Sequence, residues 1–168
     1  MISKAELNDA NTLALLVNSA YRGDHAKKGW TTEADMIDGT RTDASALTEL
    51  MQKDDTTILK YAQDGKIIGC VELRIVLNKL YLGMPTVEPS IQGGGIGKKL
   101  LAAAEDFGKE KGCKKVFMTV ITIRQELIDW YKRHGYVDTG ERKPFNFTDA
   151  RFGQPRQKLE FLVLEKVL

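Results

Sequence analysis

Cysteine and histidine are scarce in this chain of 168 residues, with two of each, and neither pair is arranged for chemistry. Cys70 and Cys113 stand far apart in apolar contexts with no Cys-x-x-Cys and no Cys/His clustering, which reads as reduced structural thiols rather than a disulfide framework or zinc site. His25 and His134 lack ligand spacing, so metal catalysis is disfavoured and no metal is expected. No apolar run reaches the roughly 18 residues that a membrane-spanning helix needs. The N-terminus also lacks the basic-then-apolar layout of a secretory leader. The expected setting is therefore cytoplasmic, with no membrane partner. A formal charge of +2 and the lack of a concentrated basic helix disfavour nucleic-acid binding. Repeats, low-complexity tracts and linkers are missing too. What remains, at 42% hydrophobic residues, reads as one domain over 1–168, large enough to bury a real core.

Glycine, by contrast, is concentrated. The run Gln92-Gly93-Gly94-Gly95-Ile96-Gly97 follows a strand-like stretch, Leu82 to Val87, broken at Glu88-Pro89. Clustered glycines cost backbone entropy and suit a place where the main chain turns tightly or lets something approach closely. Ile96, Leu100, Leu101, Ala104 and Phe107 then recur at helical spacing, with Gly112 placed as a C-terminal cap. The loop thus feeds a helix N-terminus whose unpaired N–H groups attract anions, and Lys98 and Lys99 add charge there. A nucleotide P-loop fails on spacing, because Gln92 holds its first glycine position and Lys99 its Ser/Thr position. The dinucleotide fingerprint fails because it needs a glycine at Lys98. A glycine-rich turn without a ligand is the plain alternative.

Residues 2–6 read as a short strand, and Asn8 or Asp9 as the cap of a helix burying Leu13, Leu16, Val17 and Ala20. Tyr21-Arg22-Gly23-Asp24 leads into a polar loop to Trp30. Thr32 and Asp35 stand in capping-box register for a short helix, and Asp43 caps another through Leu47, Leu50 and Met51. Trp30, Thr31 and Arg41 fall on connections, where binding groups tend to lie, although a lone Trp is equally a packing anchor. From Thr56 the period becomes two. Thr57 to Ala62, Lys66 to Leu77 and Leu80 to Val87 predict an antiparallel meander, turning at Asp64-Gly65 and at Asn78-Lys79. Pro85 cannot donate a ladder hydrogen bond, so the third strand is expected to part from a neighbour there.

Lys115 to Ile121 predicts a strand parallel to the one before the glycine loop, reached by a right-handed crossover. Thr122 and Gln125 form a capping-box pair before a helix bearing Leu127, Ile128, Tyr131 and His134 and ending at Gly135. Strands at Tyr136 to Gly140 and Leu159 to Val167 finish the chain. Across residues 142–158, Arg142, Lys143, Arg151, Arg156 and Lys158 face only Asp149, which reads as a solvated connection rather than a steering patch.

Gln-x-x-Gly-x-Gly after a strand ending in Val-x-Pro resembles the acyl-CoA pyrophosphate loop of the GNAT superfamily of N-acetyltransferases. A second motif supports the resemblance: Tyr131-Lys132-Arg133-His134-Gly135-Tyr136 is similar to the family's Tyr placed four residues before Gly-Phe or Gly-Tyr. The predicted order β-α-α-β-β-β-α-β-α-β-β is also similar to that fold. The resemblance implies a mixed α/β architecture: a central sheet of about six to seven strands, helices on both faces, and two strands splayed at a cofactor cleft. It implies acetyl-CoA as acyl donor and a primary amine of a small molecule or peptide as acceptor. Val87, Gln92, Gly93, Gly94, Gly95, Gly97 and Lys98 would then bind the cofactor, and Tyr131 would protonate the leaving thiolate.

Three departures from the family pattern stand out. Arg124 occupies the cofactor-contacting position, seven residues before Tyr131, where many relatives have Asn. Tyr81 replaces the Glu that some relatives place six residues before the valine. Glu72, on the neighbouring strand, is therefore the candidate base, with Glu88 in reserve. Pro85 removes a backbone N–H that relatives aim at the acetyl carbonyl. An acyltransferase using longer acyl-CoA and a silent acyl-CoA sensor are the alternatives, and a homodimer through the last strands stays open.

Overall fold

Alternating apolar residues fold the middle of the chain into strands, and the helices on either side cover the two faces of the resulting sheet. The computed structural model describes residues 1–30, 32–145 and 154–168. In chain order the elements are β1 (Ile2–Lys4), α1 (Ala10–Tyr21), a single turn α2 (Gly23–Ala26), β2 (Ile37–Asp38), α3 (Ala44–Met51), β3 (Thr56–Gln63) and β4 (Lys66–Val76). They continue with β5 (Lys79–Val87), α4 (Ile96–Glu110), β6 (Lys115–Ile121), α5 (Gln125–Arg133), β7 (Val137–Pro144), β8 (Gln154–Pro155) and β9 (Glu160–Val167). A seven-stranded mixed sheet runs β1-β3-β4-β5-β6-β9-β7, and β2 pairs with β8 in a separate ribbon.

The β3–β4 hairpin turns on Asp64 and Gly65, both at positive φ (52° and 75°), as a two-residue primed turn requires. The next connection sits one residue earlier than the sequence suggests. Val76 pairs with Lys79, so Leu77-Asn78 makes the turn and Leu77 takes the left-handed φ of 57°. Register is set by the buried Leu73, Leu80 and Leu82, because a one-residue slip would turn all of them to the other face.

The β5–α4–β6 crossover makes β5 and β6 parallel, as expected. Leu100, Leu101 and Ala104 of α4 and Leu127, Ile128 and Tyr131 of α5 pack with Val71, Leu73, Leu80, Leu82, Val116 and Met118 on one face. On the other face Leu13, Leu16, Val17 and Ala20 of α1 and Leu47 of α3 cover Ile58, Cys70 and Met84. Burial pushes the Cys70 thiol up to about 12 and raises Cys113 as well, so both are inert thiols at neutral pH. No helix among the described residues is long and apolar enough to cross a membrane.

Local signals hold in some places and yield in others. Asp43 caps α3, accepting from the Ala46 N–H at 2.7 Å. The Asp9 carboxylate instead accepts the Glu6 N–H at 2.8 Å and pairs with Lys60 at 2.7 Å. Thr32 and Asp35 start no helix. Thr32 Oγ1 accepts from the Ala34 N–H, and the N–H groups of Met36 and Ile37 both return to the Glu33 carbonyl. That turn delivers Ile37 into β2, a local side-chain bond competing successfully with helix formation. Thr122 and Gln125 form no capping box, because the Thr122 N–H extends the sheet ladder to the Glu160 carbonyl and Arg124 becomes the N-cap. β7 begins at Val137 and runs to Pro144, while Tyr136 stays behind as a buried ring against Tyr131. In the charged connection Arg142 pairs with Asp138; Thr31, Asp149 and Arg151 lie outside the described residues.

Candidate active site

The sheet opens where β5 and β6 separate. Their pairing is confined to Lys79–Tyr81 against Lys115–Phe117. Beyond it Glu72 pairs with Gly83 but Cys70 pairs with Thr86, so β5 fits the extra residue of a bulge opposite Val71. Met84 sits there at φ 53°, and Pro85 has no N–H to offer a neighbouring strand. Two cavities of about 340 and 160 Å³ flank the gap, with Tyr21, Leu82, Pro85, Arg124, Leu127 and Tyr131 on the walls of both.

The larger cavity runs to the glycine loop. Gly93 and Gly95 have φ of 95° and 84°, conformations that favour glycine, and Gly95 is the N-cap of α4. Gly97 has a different reason. A Cβ there would come no closer than 3.8 Å to Val87 and 3.9 Å to Trp130, so no protein contact demands its absence, and the space in front of the helix is left clear. The first bond of α4 runs from the Lys99 N–H to the Gly95 carbonyl. The N–H groups of Ile96, Gly97 and Lys98 therefore have no partner within the helix and form an anion-binding end. Trp30 and Trp130, with ring centres 6.3 Å apart, and His134, 4.1 Å from Trp130, make the outer wall.

Gln92 does something its motif did not suggest. Its Oε1 accepts the Trp30 N–H at 2.9 Å and its Nε2 donates to the Val87 carbonyl at 3.1 Å, which ties the 22–30 segment to the end of β5. Gly29 lies so close that any Cβ would collide with the Gln92 amide.

Tyr131 is 2% exposed, and burial raises its phenol well above the ordinary value. Its ring stands edge-on to Trp130 and Tyr136, and no hydrogen bond to its hydroxyl is seen among the described residues. Tyr21, which no sequence signal marked, is raised by burial in the same way. Its hydroxyl donates to the Pro85 carbonyl at 2.5 Å. Arg124 points back across the site to Glu33 at 3.1 Å, and Glu33 also holds Arg22 at 3.2 Å. Arg22 and Glu33 too went unmarked, since a salt bridge between a helix end and a loop leaves no local pattern.

Glu72 lines neither cavity. It is buried, on the same side of β4 as Cys70 rather than on a solvent face, with Arg74, Arg41, Lys53 and Asp55 as the charges it feels. Burial raises its carboxyl, against the pull of Arg74 and Arg41, and Arg74 in turn lies over the Tyr81 ring at 4.7 Å. Glu88 sits past the end of β5, with His25 at 2.6 Å and bonds from Ser90. Burial would raise the Glu88 carboxyl, but the Ser90 and His25 hydrogen bonds outweigh it and hold it low.

The Acetyltransferase (GNAT) family model matches residues 24–136. The chain belongs to the GNAT family. It is similar to an IAA acetyltransferase of Azospirillum brasilense, 25% identical over 99 residues, covering 58% of this chain and 65% of that protein. Its fold is similar to the ribosomal-protein-S18-alanine N-acetyltransferase of Escherichia coli (TM-score 0.74, 14% identity, 99% of this chain and 92% of that one). The PaiA N-acetyltransferase of Thermoplasma acidophilum, solved in complex with coenzyme A, gives a TM-score of 0.71 at 21% identity, over 100% of this chain and 98% of that one. As in those folds, the mixed sheet of this GNAT chain is covered by helices on both faces.

The Arg22–Glu33–Arg124 cluster ties the 22–41 segment to α5. With side chains only 4 to 8% exposed, removing the shared anion takes a carboxylate charge away from two buried cations. Glu33→Gln is expected to cost about 3 kcal/mol of stability, read from urea denaturation; a loss under about 1 kcal/mol would show that Glu33 is not what balances these arginines.

Proposed function

We propose that this GNAT chain is an N-acetyltransferase that moves an acetyl group from acetyl-CoA to a primary amine by direct attack. The observation that carries this reading is the separation of β5 from β6 at Pro85, with one continuous cavity from that gap to the glycine loop. Acetyl-CoA would supply the activated acyl group as a thioester. The residues present fit it: free amides at the start of α4 suit a diphosphate, and Gly97 leaves the room that a Cβ would take. Gly93, Gly94, Gly95, Gly97 and Lys98 form that cradle, Val87 and Arg124 flank the route inward, and Gln92 fastens the loop.

At the inner end, Tyr131 serves as proton donor to the departing sulfur. Its raised pKa keeps the phenol protonated at neutral pH, and the same buried surroundings raise the proton affinity of a thiolate formed beside it. The attacking amine must be neutral. An alkyl amine with a lysine-like pKa is about 3.4 units above neutrality, so its neutral form costs roughly 4.6 kcal/mol, and a proton acceptor is needed. In this reading Glu72, set behind Tyr81 and Arg41 of the smaller cavity's wall rather than on the wall itself, takes that proton through water, its raised pKa making it a stronger base than a surface carboxylate. Pro85 has no N–H, so polarising the thioester carbonyl falls to another donor.

Tyr131→Phe should lower kcat at least about 100-fold while coenzyme A affinity, measured by calorimetry, stays within about threefold of the parent. Coenzyme A binding with no turnover of any amine by the parent protein would point to a sensor instead, and no heat of binding would remove the reading altogether. Gly97→Ala separates the cradle from the fold: helix propensity should raise stability by about 0.5–1 kcal/mol, whereas coenzyme A affinity should fall about tenfold or more. Equal affinity would leave Gly97 without a ligand to make room for. For Glu72, kcat/KM should fall on the acid side with a midpoint above the ordinary carboxylate value, because activity needs the ionised form of a group whose pKa is raised. Glu72→Gln should abolish that limb and lower the plateau about tenfold or more; an unchanged profile would take Glu72 out of the reaction.

A further inference from the structure

The smaller cavity has a charge that amine acetylation does not account for. Arg22, Arg41 and Arg124 are on its wall, with Glu33 as the carboxylate among its described lining residues. Glu33 is shared by Arg22 and Arg124. Arg41 is held by its main chain, whose N–H donates to Asn18 Oδ1 at 2.7 Å, while its guanidinium has no ion pair or hydrogen bond among the described residues. Glu72, which feels both Arg41 and Arg74, is off the wall, and counting that pair as well still leaves cations in excess of anions among the described residues. Arg41 sits on the wall of a partly closed space, where unpaired charge is costly; burial, joined by repulsion from Arg41, already pulls the Arg22 guanidinium below its usual value against Glu33.

The placement is specific. The guanidinium carbons of Arg41 and Arg124 lie 5.7 and 5.8 Å from the centre of the same ring, that of Tyr21, and the hydroxyl of that ring reaches the Pro85 carbonyl. One tyrosine side chain thus spans from the cationic wall to the bulge where the acetyl group would be delivered. Met118, Ile121, Phe145 and Phe161 make much of the remaining wall apolar.

We infer that the acceptor is a small amino acid with an apolar side chain, whose carboxylate is bound by Arg41 while its amine faces Pro85 and Tyr131. This rests on the acetyltransferase reading for which end of the molecule is acetylated. A guanidinium whose donors no described residue takes up offers a carboxylate two parallel N–H bonds, the strongest pairing available to it. A cavity of about 160 Å³ suits a free amino acid, and the cationic wall repels polyamines and lysine-rich peptides.

The test compares acids with their uncharged amides. Initial rates are measured with leucine, methionine and phenylalanine and with leucinamide, methioninamide and phenylalaninamide, using the parent, Arg41→Ala and Arg41→Lys. The acids should exceed the amides in kcat/KM by about 10- to 100-fold, the range of a charge-assisted bond. Arg41→Ala should collapse that ratio toward one through KM for the acid, and Arg41→Lys should keep part of it. Calorimetry with N-acetyl-leucine and N-acetyl-leucinamide on the coenzyme A-loaded protein reads the same preference without turnover. Amides that match the acids, or a ratio that survives Arg41→Ala, overturn the inference while leaving the acetyltransferase reading intact. If no amine is turned over but the N-acetyl acid still binds in preference to the amide through Arg41, the anion pocket stands and the reaction assignment fails.

Discussion

A parallel strand pair that holds for three residues and then separates leaves two rows of main-chain donors and acceptors facing one another across a gap, and each must find another partner. Much of this molecule follows from how those groups are satisfied. The Pro85 carbonyl takes the Tyr21 hydroxyl and the Val87 carbonyl takes the Gln92 amide. Because Gln92 also holds the Trp30 N–H, the free lip of β5 fixes both the C-terminal end of α1 and the segment that follows it. Gly29 belongs to the same chain of dependence, since the Gln92 side chain fills the place where a Cβ would stand. The opening is therefore maintained by contacts that would have no purpose if the strands closed.

The gap has the N–H donors of a helix end at one mouth, arginines at the other, and apolar residues between. At one end, amides at the start of α4 point into the larger cavity; at the other, arginines surround Tyr21. Between them stand Leu82, Leu127 and the two buried phenols. Such an arrangement attracts negatively charged ends of two different molecules toward an interior in which neither charge need enter. In the proposed reaction this is useful, because a neutral amine and a thioester meet in the low-dielectric middle while their charged groups remain at opposite mouths.

What the sequence reveals is what local rules govern. The glycine run, the crossover helix, the primed turn at Asp64-Gly65 and the parting at Pro85 each depend on backbone conformation within a few residues, and each is where it was expected. Tyr131 was legible through its spacing from Gly135. Tyr21, Arg22 and Glu33 were not, because they matter only through partners brought together by tertiary folding. Glu72 shows the limit most clearly: its alternation with Cys70 gives its face of the strand, but nothing local says that this face is buried at Glu72 while lining neither cavity. Gln92 is the converse, a motif residue whose side chain turns out to brace the main chain. The β2–β8 ribbon, two residues on each side, is too short to leave any periodicity.

Pro85 carries two effects that pull in opposite directions. By withholding an N–H it helps keep β6 away, and by the same omission it gives up a donor near the place where negative charge would develop on the thioester oxygen. Losing one such donor can cost about 100-fold in rate, so the trade is tolerable only if another donor reaches the same point. The Tyr131 hydroxyl satisfies the requirements: it is buried, protonated at neutral pH, uncommitted to any described residue, and shares both cavity walls with Pro85. The Tyr21 hydroxyl does not, because its proton is already given to the Pro85 carbonyl. In the proposed reaction a single phenol would then steady the developing oxyanion first and supply a proton to the sulfur afterwards, two demands that fall at successive moments and so need not compete.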